Sequence, residues 1–166
     1  MKNTFSLICL TASLLAAGVS QAACFPDSPL TRPDSRYEAA NASGSEVKDK
    51  DTGLIWQRCV HGLKWDGAAC SGTAIAQDWN TATKTAKEAK DAKWRLPTQV
   101  ELEGLSEKSC SEPALNMTWF GSGPSGWTWT ATDMGSADGA IVVHSGSALI
   151  ANLIKKIPLY VRWVHN

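Results

Sequence analysis

Hydrophobic and polar positions recur along this chain with two different periods, and the change of period divides it. Trp79, Ala82, Ala86 and Ala89 fall on one stripe at helical spacing, with Lys84, Lys87, Glu88 and Lys90 on the opposite face. That spacing predicts an amphipathic helix over residues 78–92, capped by Asp78, whose charged face is solvated. Downstream the period shortens to two. Residues 127–132 alternate bulky and small polar side chains, residues 140–143 and 148–150 flank a Ser-Gly-Ser turn, and residues 160–164 make a final strand. Upstream, residues 47–49 and 54–56 flank Lys50-Asp51-Thr52-Gly53 and predict a hairpin. Residues 106–126 read as loop. Early helix and late antiparallel strands give an α+β domain.

The sharpest local signal is Trp94-Arg95-Leu96-Pro97-Thr98-Gln99-Val100-Glu101-Leu102. Proline pushes Leu96 into extended backbone, and Thr98 stands three places before Glu101, the spacing of a capping box. A strand end therefore becomes a helix start within two residues. Val100, Leu102 and Leu105 are expected to give that helix its apolar contacts.

The ends bound the compartment. Residues 1–22 carry one charge, Lys2, an apolar run over 5–19, and small residues at Ser20 and Ala22, the pattern of an export signal. Gln21 stands where a lipoprotein signal carries a bulky aliphatic residue, so lipidation of Cys24 is not expected. The apolar run is too short to span a bilayer, and no later segment is long enough. Residues 23–45, rich in Pro, Ser, Asp and Ala, read as an irregular N-terminal arm anchored by Tyr37, and residues 46–166 form the domain. The chain beyond residue 22 suits one domain with a real core. Its 16 acidic residues against 15 basic ones argue against a nucleic-acid partner.

Four cysteines follow the leader: Cys24, Cys59, Cys70 and Cys110. An even number in an exported chain reads as two disulfides, and three pairings are open. Cys59 and Cys70 bracket a short Gly-rich loop over 59–72, which favours that bridge and leaves Cys24 with Cys110. A metal site would need clustered ligands, whereas His61, His144 and His165 are scattered. No cofactor is expected. Asp133 and Asp138 read as turn residues rather than cation ligands, and Glu101 as a cap rather than an acid or base. No Gly-x-Ser-x-Gly motif occurs.

Eight tryptophans in 166 residues are the compositional outlier. Trp56, Trp79, Trp94 and Trp163 lie at apolar positions of regular elements and are expected in the core. Trp65, Trp119 and Trp127 lie in or beside Gly-rich loops. They either anchor those loops or offer stacking faces for sugar rings or a protein partner. Lys155, Lys156 and Arg162 are candidates for an anionic-polymer contact.

Five segments in order carry a resemblance: Asp51-Thr52-Gly53-Leu54-Ile55-Trp56-Gln57-Arg58-Cys59, then Trp94 to Thr98 with Glu101-Leu102, Pro113-Ala114-Leu115-Asn116, Trp127-Thr128-Trp129 and Tyr160-Val161-Arg162. Over residues 34–164 the chain resembles the Lcl C-terminal domain family, a module that ends a bacterial collagen-like adhesin. The Leu-Pro-Thr-x-x-Glu core is also similar to sulfatase-modifying enzymes. Both groups are similar to the C-type lectin fold, which implies two helices packed on small antiparallel sheets, with the termini together. The modifying enzymes use paired cysteines late in the domain, and here none follows Cys110. Calcium lectins use Glu-Pro-Asn or Gln-Pro-Asp with Trp-Asn-Asp, where this chain has Glu112-Pro113-Ala114. The resemblance thus implies a non-catalytic module, exported to the periplasm, cell surface or medium, that recognises a glycan or a cell-surface partner. The alternative is a component of a pilus or secretion apparatus, and a third reading is an enzyme with an unrecognised site.

Overall fold

In the computed structural model residues 23–88, 93–121, 123–135 and 138–166 are described. The expected leader and the last four residues of the helix expected over 78–92 lie outside them. β1 (Ala23–Cys24), β2 (Tyr37–Ala39), β3 (Glu46–Asp49), β4 (Ile55–Gln57), β5 (Leu63–Trp65) and β6 (Cys70–Gly72) come first. α1 (Trp79–Glu88), α2 (Gln99–Glu103), β7 (Cys110–Ser111) and α3 (Met117–Phe120) follow. β8 (Trp127–Asp133), β9 (Gly139–His144), β10 (Ile150–Ile154) and β11 (Val164–His165) complete the order. The result is a mixed α+β domain with few helices, several small antiparallel sheets and two disulfides.

The four-stranded sheet runs β11-β4-β3-β2 and the three-stranded sheet β10-β9-β8. The expected hairpin is the centre of the first, with Val47 opposite Trp56. Its turn closes where Gly53, at a φ of 76°, donates to the Asp49 carbonyl at 2.7 Å, a conformation suited to glycine. The core lies on both faces of β9, because successive strand residues point to opposite sides. Val143 joins Tyr37, Val47, Trp56, Leu105 and Phe120. Val142 joins Ala82, Ala86, Trp129, Val161 and Trp163. Three of the four tryptophans expected in the core are there, and Trp79 is only half-buried against the second cluster.

The Trp94–Glu101 junction ties the two sheets. Arg95 exchanges backbone hydrogen bonds with Val164 of β11, while Ala131 of β8 donates to the Pro97 carbonyl at 2.6 Å. Thr98 and Glu101 form the capping box of α2. Glu101 also receives both guanidinium arms of Arg95, at 2.7 and 2.8 Å. Leu102 and Leu105 are buried as expected, but Val100 is 77% exposed. A five-residue helix offers one narrow inward stripe, which Leu102 occupies, and Leu105 turns inward just beyond the helix end.

Two segments expected to be irregular are more ordered. Asn116 caps α3 by accepting from Trp119 N–H at 3.1 Å, so one helical turn interrupts the expected 106–126 loop. The loop over 59–72 holds the β5–β6 hairpin, closed by Cys59–Cys70. The arm is built into the domain as well. β1 pairs with β7, Cys24 is bonded to Cys110, and Tyr37 in β2 is buried. Glu107, 1% exposed, accepts from Thr31 N–H at 3.0 Å, Arg32 N–H at 2.6 Å and Ser109 N–H at 2.9 Å.

These carboxylates set the acid response. Burial alone would raise the Glu107 carboxyl, but the Ser109, Thr31 and Arg32 N–H donors outweigh it and hold it below the usual range. Burial likewise opposes, and Arg36 outweighs, at Asp49, where the guanidinium donates at 2.6 Å. A depressed folded value contributes stability above the unfolded value, which is lost as pH falls through the folded one. Urea unfolding should therefore give a flat profile from about pH 7 to 5 and a fall below about pH 4. Glu107→Gln should flatten that fall, and Glu107→Ala should cost about 3 kcal/mol at neutral pH by orphaning buried donors.

Candidate functional site

The strand alternation that buries Trp56 also turns Arg58 inward, where it is 9% exposed. Its guanidinium is spent locally. It donates to the carbonyls of Gly44 at 3.0 Å, Thr118 at 3.0 Å and Trp119 at 3.2 Å. It lies 3.8 Å from the Trp65 ring centroid and 4.8 Å from that of Trp119. Two of the three loop tryptophans thus meet on one cation, an arrangement favoured where Arg is desolvated. Burial pushes the Arg58 guanidinium below its ordinary value without discharging it. Gly44 has a φ of 72°, and a Cβ there would meet Arg58 Nη1 at 3.3 Å and Trp65 Nε1 at 3.4 Å. Glycine suits the turn before β3, where φ is positive and a Cβ would crowd Arg58 under Trp65.

Trp65 and Trp94 are walls of a groove of about 420 Å³, with Ser43, Ser45, Glu46 and Gln57 between them. Its polar side is organised before any ligand arrives. Asn41 Nδ2 donates to Ser45 Oγ at 3.0 Å, Ser43 Oγ donates to Asn41 Oδ1 at 3.1 Å, and the two serine hydroxyls are 2.9 Å apart. Glu46 is held by Lys93 at 3.0 Å. Lys93 Nζ also lies 4.9 Å from the Trp94 ring centroid, whose edge-to-face partner is His165 at 4.6 Å. The groove therefore joins aromatic surface to the neutral polar groups of Ser43, Ser45 and Gln57, with Glu46 paired to Lys93 and Lys64 also on the lining.

Trp94 also lines a second cleft, of about 590 Å³, with Trp79, Ala86, Leu96 and Ala131. Its surface is mostly apolar, with Lys87 and the Arg95–Glu101 pair also on the lining. Trp79 is fixed there by its indole N–H, which donates to the Thr130 carbonyl at 2.8 Å.

The other sequence-derived candidates are dispersed. Trp127 stacks edge-to-face on His144 at 4.9 Å, at the start of β8. Lys155 is buried, bonded to Asp133 at 2.8 Å and 4.6 Å from the Trp79 ring centroid. Arg162 is 4% exposed and donates to the Gln57 and Arg58 carbonyls. Only Lys156 of that trio is exposed, so the expected anionic-polymer contact is corrected: internal acceptors occupy the other two cations. Sequence reasoning placed Trp94 in the core, where it is, and missed Arg58 and the Asn41-Ser43-Ser45 network. Arg58 did leave a signal, a charge at an inward-facing position of a strand edge.

The sequence profile of the Lcl C-terminal domain matches residues 45–165, and the chain belongs to that family. No curated protein matches the chain.

Replacing Arg58 with Ala should lower stability by about 2–3 kcal/mol, through orphaned carbonyls and lost ring contacts. Arg58→Lys should restore only part of it, because an ammonium cannot span three carbonyls in a plane. Chemical denaturation gives the loss, and acrylamide quenching of indole fluorescence reports the freed Trp65.

Proposed function

We propose that this member of the Lcl C-terminal domain family is an exported, non-catalytic binding module whose ligand is a glycan seated between Trp65 and Trp94. The observation that carries the reading is the pairing of indole walls with a hydrogen-bonded network of neutral groups, Asn41, Ser43 and Ser45, arranged in advance. Sugar rings have apolar C–H faces and a rim of hydroxyls. They suit a surface that stacks on one side and exchanges neutral hydrogen bonds on the other. Balanced charge, 16 basic against 16 acidic residues, favours a neutral saccharide over a polyanion.

Two bridges support an oxidising compartment, in keeping with an export signal over residues 1–22. The architecture supports a C-type lectin-like reading of the fold. Small antiparallel sheets carry short helices, and the early β2 and the late β11 share one sheet. A second reading, a component of a pilus or secretion apparatus, draws on the exposed apolar side chains around β10.

Binding to arrayed neutral oligosaccharides tests the first reading. Trp65→Ala should weaken any hit at least about tenfold, near 1.4 kcal/mol, while Trp127→Ala leaves it unchanged. Raising salt to about 0.5 M should change affinity little, since no ion pair carries the contact. Equal binding by Trp65→Ala, or no retention on any glycan surface, would reject the reading.

A further inference from the structure

Four of the ten large apolar side chains exposed among the described residues, Leu149, Ile150, Ile154 and Ile157, fall within residues 149–157. They surround β10, an edge of the three-stranded sheet. On its inner side β10 pairs with β9, and the ladder is framed by His144 N–H to the Leu149 carbonyl and Lys155 N–H to the Asp138 carbonyl, each at 2.8 Å. Hydrogen-bonded pairs alternate in an antiparallel ladder, so residues 149, 151, 153 and 155 bond inward. The N–H groups of Ile150, Asn152 and Ile154 then point away from the sheet. Among the described residues none of those three N–H groups has a backbone acceptor; the Ile154 carbonyl accepts from Ile157 at 3.0 Å and keeps a second lone pair. Natural sheets usually blunt such an edge with charge, proline or a cover. Residues 145–154 hold neither charge nor proline.

The sequence of this edge reads nearly the same in both directions: Ile150-Ala151-Asn152-Leu153-Ile154. Turned about a two-fold axis through Asn152, two copies place Ile150 opposite Ile154 and Asn152 opposite Asn152 on one face. On the other face Ala151 meets Leu153. The same register brings the outward N–H and C=O groups together, since 150, 152 and 154 are the outward set on both strands. Charge stays outside the shared strand: Lys155 and Lys156 lie in the turn closed by Ile157 N–H on the Ile154 carbonyl, and Lys155 is bonded to Asp133. We propose that β10 is a self-association edge, by which two copies of this chain join their three-stranded sheets into one continuous sheet across a two-fold axis. The shared strand is short, well under the roughly 800 Å² per partner of a standard interface, so the dimer forms only at high local concentration, as on a crowded surface.

Sedimentation equilibrium of the purified chain from about 10 μM to 1 mM should show the mass rise toward twice the monomer. Asn152→Pro removes an outward N–H and leaves the β9 ladder intact. It should abolish the rise, as should Ile150→Lys with Ile154→Lys, each with an unchanged thermal melt. Register is tested by crosslinking. Opposed hydrogen-bonded residues lie about 5.5 Å apart, within disulfide reach. Asn152→Cys should therefore dimerise covalently under mild oxidation. Ile150→Cys should not, because its counterpart lies about 13 Å along the strand. A monomer mass throughout, dimers that survive Asn152→Pro, or equal crosslinking at both positions would each overturn the proposal. Protection of the β10 amides from hydrogen exchange only when envelope extract is added would assign the edge to a foreign strand and overturn it too.

Discussion

The two-armed ion pair between Arg95 and Glu101 is the contact on which the remaining geometry depends. Arg95 belongs to an extended residue bonded to β11, and Glu101 to the first turn of α2. Their side chains meet at 2.7 and 2.8 Å. The Thr98 backbone N–H adds a third donor to the same carboxylate at 2.7 Å. One carboxylate thus links the helix start to the extended residue that pairs with β11. Charge-assisted, forked hydrogen bonds of this kind add directional constraint as well as energy. Trp94 and Leu96 flank Arg95 in extended backbone, so the side chain that walls both clefts is positioned by the same junction.

Indole rings serve two different ends in this molecule. Trp56 and Trp129 are fully buried and fill volume on either side of the hairpin and of β9. Trp65, Trp79 and Trp94 keep part of their surface at a cleft, and each has a cation within 5 Å of its ring centroid: Arg58, Lys155 and Lys93. Those cations are held in turn by carbonyls or carboxylates, so the rings are clamped rather than merely exposed. A ring held in one orientation loses little freedom when a ligand stacks on it, which is the property a recognition surface needs.

Much of this was legible in the residues because it is local. The Thr98–Glu101 cap, the 47–56 hairpin with its glycine turn, and the β8 alternation all declare themselves within a few positions. What stayed hidden depends on contacts distant in sequence. Glu107 looks like an ordinary loop acid until Thr31 and Arg32, more than 70 residues away, are seen to donate to it. Lys155, Arg162 and Arg58 look like surface cations, and long-range acceptors draw all three inside. Trp94 satisfies a core pattern and still contributes its rim to two clefts. Segments classed as irregular, the arm and residues 106–126, owe their order to partners across the fold rather than to propensity.

The ligand-receiving role of the surface between Trp65 and Trp94 is open to direct measurement. Eight indole N–H groups give eight separable proton–nitrogen signals, so a spectrum of the labelled protein titrated with a neutral oligosaccharide reads the answer residue by residue. With that role, the Trp65 and Trp94 indole signals move together and saturate at one concentration, with Trp127 and Trp129 still. Movement centred on Trp127, or uniform small shifts across all eight, would contradict it.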